Sequence, residues 1–260
     1  MDRAKLDDTL GADALPGRHA VLEALRAGRA LRKILVARTA HGAAVREILR
    51  QAKARGVVVQ FVDPRHLRGA PGAQGVVART SARPVVGVEE ILAAAAARGQ
   101  PPFVLVCDGI QDPANLGAIL RTADAAGVDG VVIPRRRAAG LTPAVAKASA
   151  GAIEHVPVAQ VANVVQALDG LKAAGLWVAG ADPNAGALYN RARLVPPLAL
   201  VVGGEERGLS RLVREHCDFL VRLPMRGHLA SLNVSVAAGV LLYEVLRQSS
   251  DGLAGPSPRR

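Results

Sequence analysis

The chain has 260 residues, half of them hydrophobic, so it can bury a full core and hold two domains. Its apolar runs are shorter than the ~18 uncharged residues of a membrane span, and its charged start lacks the apolar region of a signal peptide. We therefore expect a cytoplasmic protein with no membrane partner. Cys107 and Cys217 form no C-x-x-C pair and the six histidines are scattered, which argues against a metal site or a disulfide framework.

The formal net charge of +11 is unevenly distributed along the chain. Residues 1–82 hold 15 Lys and Arg against 7 Asp and Glu, whereas residues 83–260 hold 18 against 15. A basic front part on a nearly balanced larger part is typical of a polyanion-binding module attached to a catalytic body, although an Arg-rich proteome would give a similar composition. Aromatic residues make up only 2%, so phosphate contacts and shape, rather than base stacking, would carry RNA recognition.

The first predicted domain, residues 15–82, follows an expected flexible tail at residues 1–14. Apolar periodicity and turn residues predict an α/β module with helices at 17–28, 43–54 and 63–67 and strands at 33–37, 57–62 and 74–78. Its basic side chains at helix ends and loops, where phosphate can reach them, are Arg26, Arg29, Arg32, Lys33, Arg50, Lys53 and Arg55.

Residues 83–102 are predicted to be a linker and the first helix of a second domain, which spans 103–248 before a second tail at 249–260. Its apolar segments predict strands at 103–107, 128–133, 156–159, 176–179, 198–202 and 219–222. Helices are predicted between them at 116–126, 161–174 and 209–215, with a last helix after Asn233, a residue typical of an N-cap. This alternation predicts a parallel sheet covered on both faces, with ligands bound beyond the carboxyl ends of its strands.

Two loops at those carboxyl ends carry unusual residues. The first contains N-x-G-x-x-x-R, from Asn115 to Arg121, and the second contains G-x-E-x-x-G, from Gly203 to Gly208 around Glu205. Paired glycines after a strand let the backbone approach a ligand closely. A G-x-G-x-x-G fingerprint, a Walker A sequence, a G-x-S-x-G elbow and an HExxH pair are all missing, which removes the usual support for dinucleotide, triphosphatase, hydrolase and zinc-protease functions.

The third loop has the pattern P-M-x-G-x-x-x-S-L-N-V-S-V-A, from Pro224 to Ala237, with Ser231 and Asn233 beside the start of the last helix. The first N–H groups of a helix have no partner within it, so they attract anionic or electron-rich groups. The third loop is therefore predicted to form both a helix cap and one wall of a site.

Together the three motifs resemble those of the SpoU (TrmH-type) RNA ribose 2′-O-methyltransferases of the SPOUT superfamily. The GRHAVLEAL segment that starts at Gly17 and the Gln74-Gly75 turn are similar to the RlmB-like branch, which methylates a guanosine of 23S ribosomal RNA. The resemblance covers residues 16–248. It implies an α/β fold with a C-terminal α/β knot, that is, a trefoil-knotted parallel sheet, and a small N-terminal RNA-binding domain. It also implies a homodimer whose active site draws on both subunits.

The same resemblance implies S-adenosylmethionine as the cofactor and methyl transfer to a ribose 2′-hydroxyl. The positions that match the family's catalytic residues are Asn115, Arg121, Glu205, Ser231 and Asn233. Those that match its cofactor-binding positions are Val202, Gly203, Gly208, Leu223, Met225 and Leu232. Arg121 matches the position of the family's proposed base or phosphate-orienting group. Because an arginine is almost always protonated, we favour a role in gripping a phosphate and aligning the hydroxyl over a role as the base. We expect Asn115 and Asn233 to position Arg121 and the cofactor by hydrogen bonds, and Glu205 to fix substrate or loop geometry.

Several alternatives stay open at this point. The target can be a tRNA, or a ribosomal site linked to antibiotic resistance, instead of a 23S guanosine. The chain can also be a non-catalytic RNA-binding protein on the same fold, or a small-molecule enzyme with an incidental basic face. The run at residues 135–137, three consecutive arginines, is either an additional RNA contact or an ordinary exposed charge cluster.

Overall fold

The computed structural model describes residues 14–70, 72–80, 86–205 and 207–251. The predicted tail residues 1–13 and 252–260 and the linker residues 81–85 lie outside these ranges. Within them, no helix is long and apolar enough to cross a membrane. The chain divides into two compact units, one formed by residues up to 84 together with 140–155, and the other by residues 85–139 and 156–260. We call these unit 1 and unit 2.

The described chain contains strands, helices and three short 3-10 turns at Pro64–Leu67, Ala152–Glu154 and Tyr189–Arg191. The strands are β1 (Ala14–Pro16), β2 (Leu31–Ala37), β3 (Val58–Val62), β4 (Val76–Thr80), β5 (Phe103–Asp108), β6 (Gly130–Pro134), β7 (Val158–Val161), β8 (Trp177–Ala181), β9 (Ala187–Leu188), β10 (Leu198–Gly203) and β11 (Phe219–Arg222). The helices are α1 (Arg18–Arg26), α2 (Ala43–Ala54), α3 (Val88–Ala97), α4 (Pro113–Ala125), α5 (Pro143–Ala148), α6 (Val164–Ala173), α7 (Arg211–His216) and α8 (Val234–Asp251).

Unit 1 is built on a four-stranded sheet with the order β1-β4-β2-β3. Strand β2 pairs in parallel with β3 and antiparallel with β4, so the predicted α/β module contains a mixed sheet. Helices α1 and α2 pack against each other, and their apolar positions, such as Leu25 and Ile48, are fully buried because they recur at helical spacing.

Residues 140–155 interrupt the sequence of unit 2 but belong to unit 1. This arrangement was not predicted from the sequence. Helix α5 contacts β1. Arg29 forms an ion pair with the nearly buried Glu154, and His155 Nε2 lies 3.1 Å from Glu23 Oε2. Lys147 packs so closely on Gly72 that a Cβ there would lie 2.7 Å from Lys147 Cε. We call residues 140–155 the inserted segment.

Unit 2 contains a seven-stranded sheet with the order β7-β6-β5-β10-β8-β11-β9, and every pair in it is parallel. The predicted parallel sheet is confirmed. Its central strands β5 and β10 read FVLVCD and LALVVG and are almost entirely buried, as expected for strands with a helix layer on each face. One apolar cluster joins α6 to the middle of the sheet through Leu168, Leu171, Val178 and Val201.

All the predicted strands are found with ends within two residues of those expected, and the predicted helix at 43–54 is matched at both ends. The short elements β1, α5 and β9 were missed. Strand β1 consists of Ala-Leu-Pro and exists through pairing with β4, a partner far along the chain. Helix α8 extends to Asp251, three residues into the predicted second tail, and the side chain of Gln248 in its last turns bonds to the backbone of Ala192 and Leu194.

Candidate functional site

The carboxyl ends of β5 and β10 lie side by side, since these strands pair in parallel up to Asp108 and Gly203. The loops that follow are fastened to each other. Gly204 donates its backbone N–H to Asp108 O at 2.9 Å, and Ser210 donates its backbone N–H to Asp108 Oδ2 at 2.7 Å. The first two predicted motifs therefore meet at one edge of the sheet, where parallel sheets bind ligands.

Glycines in the second motif are required by close backbone approach. A Cβ on Gly203 would lie 2.0 Å from the carbonyl carbon of Gly208, and a Cβ on Gly204 would lie 2.5 Å from Gly109 O. Neither position can hold a side chain without moving backbone. The loop closes on itself, with Gly208 N–H donating to Gly204 O at 2.9 Å, so Gly203 and Gly204 allow tight packing of the second motif against its own backbone and against the loop after β5.

A chain of side-chain hydrogen bonds joins the three motifs. Asn115 Nδ2 donates to Glu205 Oε1 at 2.7 Å, and Asn233 Nδ2 donates to Asn115 Oδ1 at 3.0 Å. Asn233 Oδ1 in turn accepts from the backbone N–H of Ser235 at 2.9 Å and from its hydroxyl at 2.6 Å. Each amide donates in the same direction, so the bonds polarise one another. We call Glu205, Asn115, Asn233 and Ser235 the amide relay.

The amide relay confirms the prediction that Asn233 is a helix cap. Asn233 does cap α8, since its side chain accepts from an N–H in the first turn. Within one chain, Asn115, only 9% exposed, donates to Glu205 and accepts from Asn233 and does not bond to Arg121. The positioning of Arg121 and the cofactor by Asn115 and Asn233 stays a prediction. The Asn115 amide donates to the loop of Glu205 and accepts from the loop of Asn233, and this fixes the distance between those two loops.

A cavity of about 910 Å³ opens beside the amide relay. Its wall combines the ends of β8, β10 and β11 with the second and third motifs. The wall residues that were predicted as site residues are Val202, Gly203, Glu205, Gly208, Leu223, Met225, Ser231, Leu232 and Asn233. Asn115 stands behind the wall and holds Glu205 and Asn233 in place.

Arg121 does not lie at the cavity of the chain to which it belongs. It is exposed on α4, it does not line the cavity, and it has no ion pair or side-chain hydrogen bond among the described residues. It follows Asn115 by six residues, which corresponds to roughly 9 Å along a helix axis. The structure thus brings together ten of the eleven predicted site residues and leaves Arg121 facing solvent.

The cavity also contains polar residues that the sequence did not single out. Asp182, 8% exposed, accepts from Arg214 Nε at 3.2 Å and from the backbone N–H of Asn184 at 2.7 Å. Arg207 and Arg222 complete the basic part of the lining. Asp182 follows β8 directly, so its position at the carboxyl end of an apolar strand was an available signal.

Cys107 is not part of the chemistry, although it precedes Asp108 at the edge. Burial, and to a smaller extent the charge of Asp108, raises the pKa of its thiol to about 12. Burial raises the pKa of Cys217 to about 12 as well, with Asp108 and Asp218 contributing. Both thiols therefore stay protonated and unreactive. Among the described residues, no group of three or more His, Cys, Asp or Glu could hold a metal ion.

Two solved structures are similar to this chain over nearly its whole length. The SpoU methyltransferase AviRb from Streptomyces viridochromogenes, in complex with AdoMet, superposes with a TM-score of 0.79 and 27% identity, covering 94% of this chain and 97% of that one. A crystal structure of an RNA 2′-O ribose methyltransferase superposes with a TM-score of 0.72 and 30% identity, covering 95% and 92%.

Sequence relatives and family models agree with the structures. YacO of Bacillus subtilis (strain 168), whose name places it in the TrmH family of tRNA/rRNA methyltransferases, is 44% identical over 91% of this chain and 96% of its own length. The model of RNA 2′-O ribose methyltransferase substrate binding matches residues 14–86, and that of the SpoU rRNA methylase family matches residues 102–243. The chain belongs to the SpoU (TrmH) family of RNA methyltransferases.

Proposed function

We propose that this protein transfers a methyl group from S-adenosylmethionine to the 2′-hydroxyl of a ribose in RNA. The observation that carries the proposal is the amide relay, which connects all three motifs and presents Glu205 to a cavity of about 910 Å³. A cavity of this size suits a nucleoside-sized ligand. When bound there, S-adenosylmethionine supplies an electrophilic methyl group on sulfur.

The residues around the cavity fit this cofactor. Gly203 and Gly208 line the cavity without side chains, so a ligand can approach their backbone closely. Apolar Val202, Leu223 and Leu232 line the same space, which suits an adenine ring. We therefore assign cofactor binding to Val202, Gly203, Gly208, Leu223, Met225 and Leu232.

Glu205 is placed to orient the acceptor hydroxyl. Only its Oε1 accepts a hydrogen bond from a described residue, the one from Asn115, which leaves Oε2 open to the cavity side. A carboxylate oxygen there can accept the hydrogen bond of a ribose hydroxyl and aim the oxygen lone pair at the methyl group. Ser231 and Asn233, on the same wall, confine the sugar. Positioning of this kind is worth roughly 7–11 kcal/mol in ideal cases, so a strong base is not required.

Arg121 completes the site from a second copy of the chain. It is exposed, carries no ion pair among the described residues, and is separate from its own cavity. Beside it, Gly239 of α8 packs on Thr122, with a Cβ there 3.7 Å from Thr122 Cγ2. The neighbouring α8 positions Val236, Val240 and Tyr243 are between 38% and 51% exposed.

These three α8 residues recur at spacings of four and three, so they share one face of the helix. An exposed apolar stripe of this kind marks an interaction site, and a twofold pairing of α8 faces would bring Arg121 of each chain toward the other chain. We propose a homodimer in which each Arg121 grips a phosphate and aligns the hydroxyl at the partner's cavity.

A complementation experiment tests the shared site. The chains R121A and N233A are each expected to be inactive as homodimers, whereas co-expressed chains are expected to recover roughly a quarter of wild-type activity, because a mixed dimer holds one intact site. Recovery of nothing, in dimers shown to be mixed, would place Arg121 in the active site of its own chain. The variant V240E is expected to be a monomer, as measured by light scattering, and to have no methyltransferase activity.

The RNA target is proposed to be a guanosine of 23S ribosomal RNA, acted on in the cytoplasm, with tRNA as the second candidate because the names of close relatives cover both RNAs. Mapping of 2′-O-methyl groups in ribosomal RNA and tRNA, from cells with and without the gene, decides between them. Purified protein, S-adenosylmethionine and the matching transcript should reproduce the modification. Methylation of a base, or none in either RNA, would contradict the proposed function.

A further inference from the structure

The loop after β6 presents two arginines from a constrained backbone. Residues 135–137 are all exposed, and Arg137 adopts a left-handed conformation with φ of 57°, which is uncommon for a residue with a side chain. Such a conformation persists only where the surroundings hold it, and it is found preferentially at binding sites.

This loop is held on both sides. Toward β7, Arg135 donates its backbone N–H to Val161 O at 2.8 Å and its Nε to Gln160 O at 3.1 Å. Toward β5, Ala139 donates its backbone N–H to Ile110 O at 2.7 Å. The positions of Arg136 and Arg137 are thus tied to the loop that leads into α4 and Asn115.

The charges of Arg136 and Arg137 are not neutralised. Neither has an ion pair or a side-chain hydrogen bond among the described residues. In the adjoining loop, Asp108 Oδ2 accepts from Ser210 N–H and Asp112 caps α4 by accepting from Ala114 N–H, and neither carboxylate forms an ion pair with these arginines among the described residues. Arg211, another exposed arginine of unit 2, is instead paired with Glu215.

The sheet order places these charges next to the site. Strand β6 adjoins β5, and β5 adjoins β10. With a strand spacing of about 4.8 Å, the loop after β6 lies roughly 10 Å across the sheet from the loop that carries Glu205. That is close enough for a nucleotide strand to contact both at once.

We infer that Arg136 and Arg137 bind phosphates of the RNA strand beside the ribose that is methylated. The inference rests on the proposed function, because it assumes that RNA is the substrate. Guanidinium groups bind phosphate through two parallel hydrogen bonds, and exposed, unpaired arginines on a fixed backbone meet that geometry with little loss of conformational freedom. These contacts would position the strand and would not read its sequence.

The test compares R136Q/R137Q with R193Q in the full-length protein. Arg193 is also exposed, but its neighbour Leu194 bonds to Gln248, about 21 Å along α8 from its start. With a 23S ribosomal RNA transcript as the probe, the double variant should lower the slope of log affinity against log salt by roughly 1.4, that is, about 0.7 for each lost phosphate contact with a single strand. R193Q should leave the slope unchanged.

Kinetics and folding separate this role from a structural one. The KM for the transcript that the wild type methylates, 23S RNA or tRNA, should rise several-fold in the double variant, with kcat and cofactor affinity unchanged. R137G suits the left-handed backbone, so it should unfold no earlier than the wild type and still show a smaller salt slope. Unchanged slopes in R136Q/R137Q and R137G would overturn the inference, whereas a wild type that neither binds nor methylates RNA would overturn the proposed function itself.

Discussion

Asn115 shows how one side chain can organise a site that it does not line. Its amide reaches Glu205, 90 residues away, and Asn233, 118 residues away. Three loops that are independent in the sequence therefore share one hydrogen-bonded geometry, and a buried amide with both partners satisfied is costly to disturb.

Replacing Asn115 by Asp tests this role through pH. At pH 8 the new carboxylate faces Glu205, and we expect methyl transfer to fall on the order of 10- to 100-fold, as for the loss of a hydrogen bond to a charged group. Two adjacent carboxyls raise the pKa of one of them. When the new carboxyl at position 115 and Glu205 share one proton, a hydrogen-bond donor between them is restored. The activity of N115D relative to wild type should therefore increase as pH falls from 8 to 6.

The variant N115A is the control for this experiment, because alanine cannot regain a donor at any pH. Its activity relative to wild type should stay low and flat between pH 6 and 8. An N115D profile that runs parallel to that of N115A would show that the donor to Glu205 is unimportant.

Helix α8 illustrates what an element contributes. Its first turn is capped by Asn233 in the site, and its last turns are anchored by Gln248, which accepts from Leu194 N–H at 2.8 Å and donates to Ala192 O at 3.0 Å. These bonds hold the helix at both ends and oppose its movement along its axis. The position of Asn233 relative to Asn115 therefore depends on contacts at the opposite end of the helix.

Glu244 belongs to this anchor, and its pH dependence can be measured. Bonds from Arg247 and, more weakly, Gln248 lower the pKa of the nearly buried Glu244 below its ordinary value of 4.5, against the effect of burial. Its stabilising contribution is therefore full above pH 4.5 and is lost as pH falls through the lowered pKa. E244Q should reduce the free energy of unfolding by about 1 kcal/mol at pH 7, since Arg247 is half exposed.

Urea unfolding at several pH values checks this prediction. The difference between wild type and E244Q should shrink steadily below pH 4.5. R211Q serves as the comparison, because its ion pair with Glu215 is on the surface and α7 lies away from this anchor. A stability difference for E244Q that is the same at pH 3 and pH 7 would show that the charge of Glu244 contributes nothing.

At the scale of the whole molecule, local patterns predicted more than long-range ones. The apolar strands and the cap at Asn233 depend on neighbouring residues, and they were predicted correctly. The strand order and the pairing of β1 with β4 depend on contacts between distant segments, and no local pattern encodes them. The knot and the twofold partner were suggested by family resemblance alone, and they remain predictions.

The inserted segment makes a prediction about truncation. Removing residues 1–82 deletes three contacts of the inserted segment. Strand β1 contacts α5, Glu23 contacts His155, and Arg29 pairs with Glu154. Buried residues such as Ile153 would then be exposed. Trypsin should cut after Lys147 roughly tenfold or more faster in the truncated protein than in the full chain, because local unfolding controls cleavage.

Cleavage at the exposed Arg193, in unit 2, provides the internal reference and should proceed equally in both proteins. Equal rates at Lys147 as well would mean that the inserted segment is stable without unit 1. Peptide masses from a time course of digestion give both rates in one experiment.

The position of the inserted segment also bears on how relatives with different RNA targets can be recombined. A chimera that swaps only the amino-terminal part would join Glu154 and Lys147 of one parent to a foreign Arg29 and Gly72. The exchange is expected to yield folded hybrids when residues 140–155 are taken from the same parent as the amino-terminal part. The segments that must be exchanged together are therefore separated in the gene.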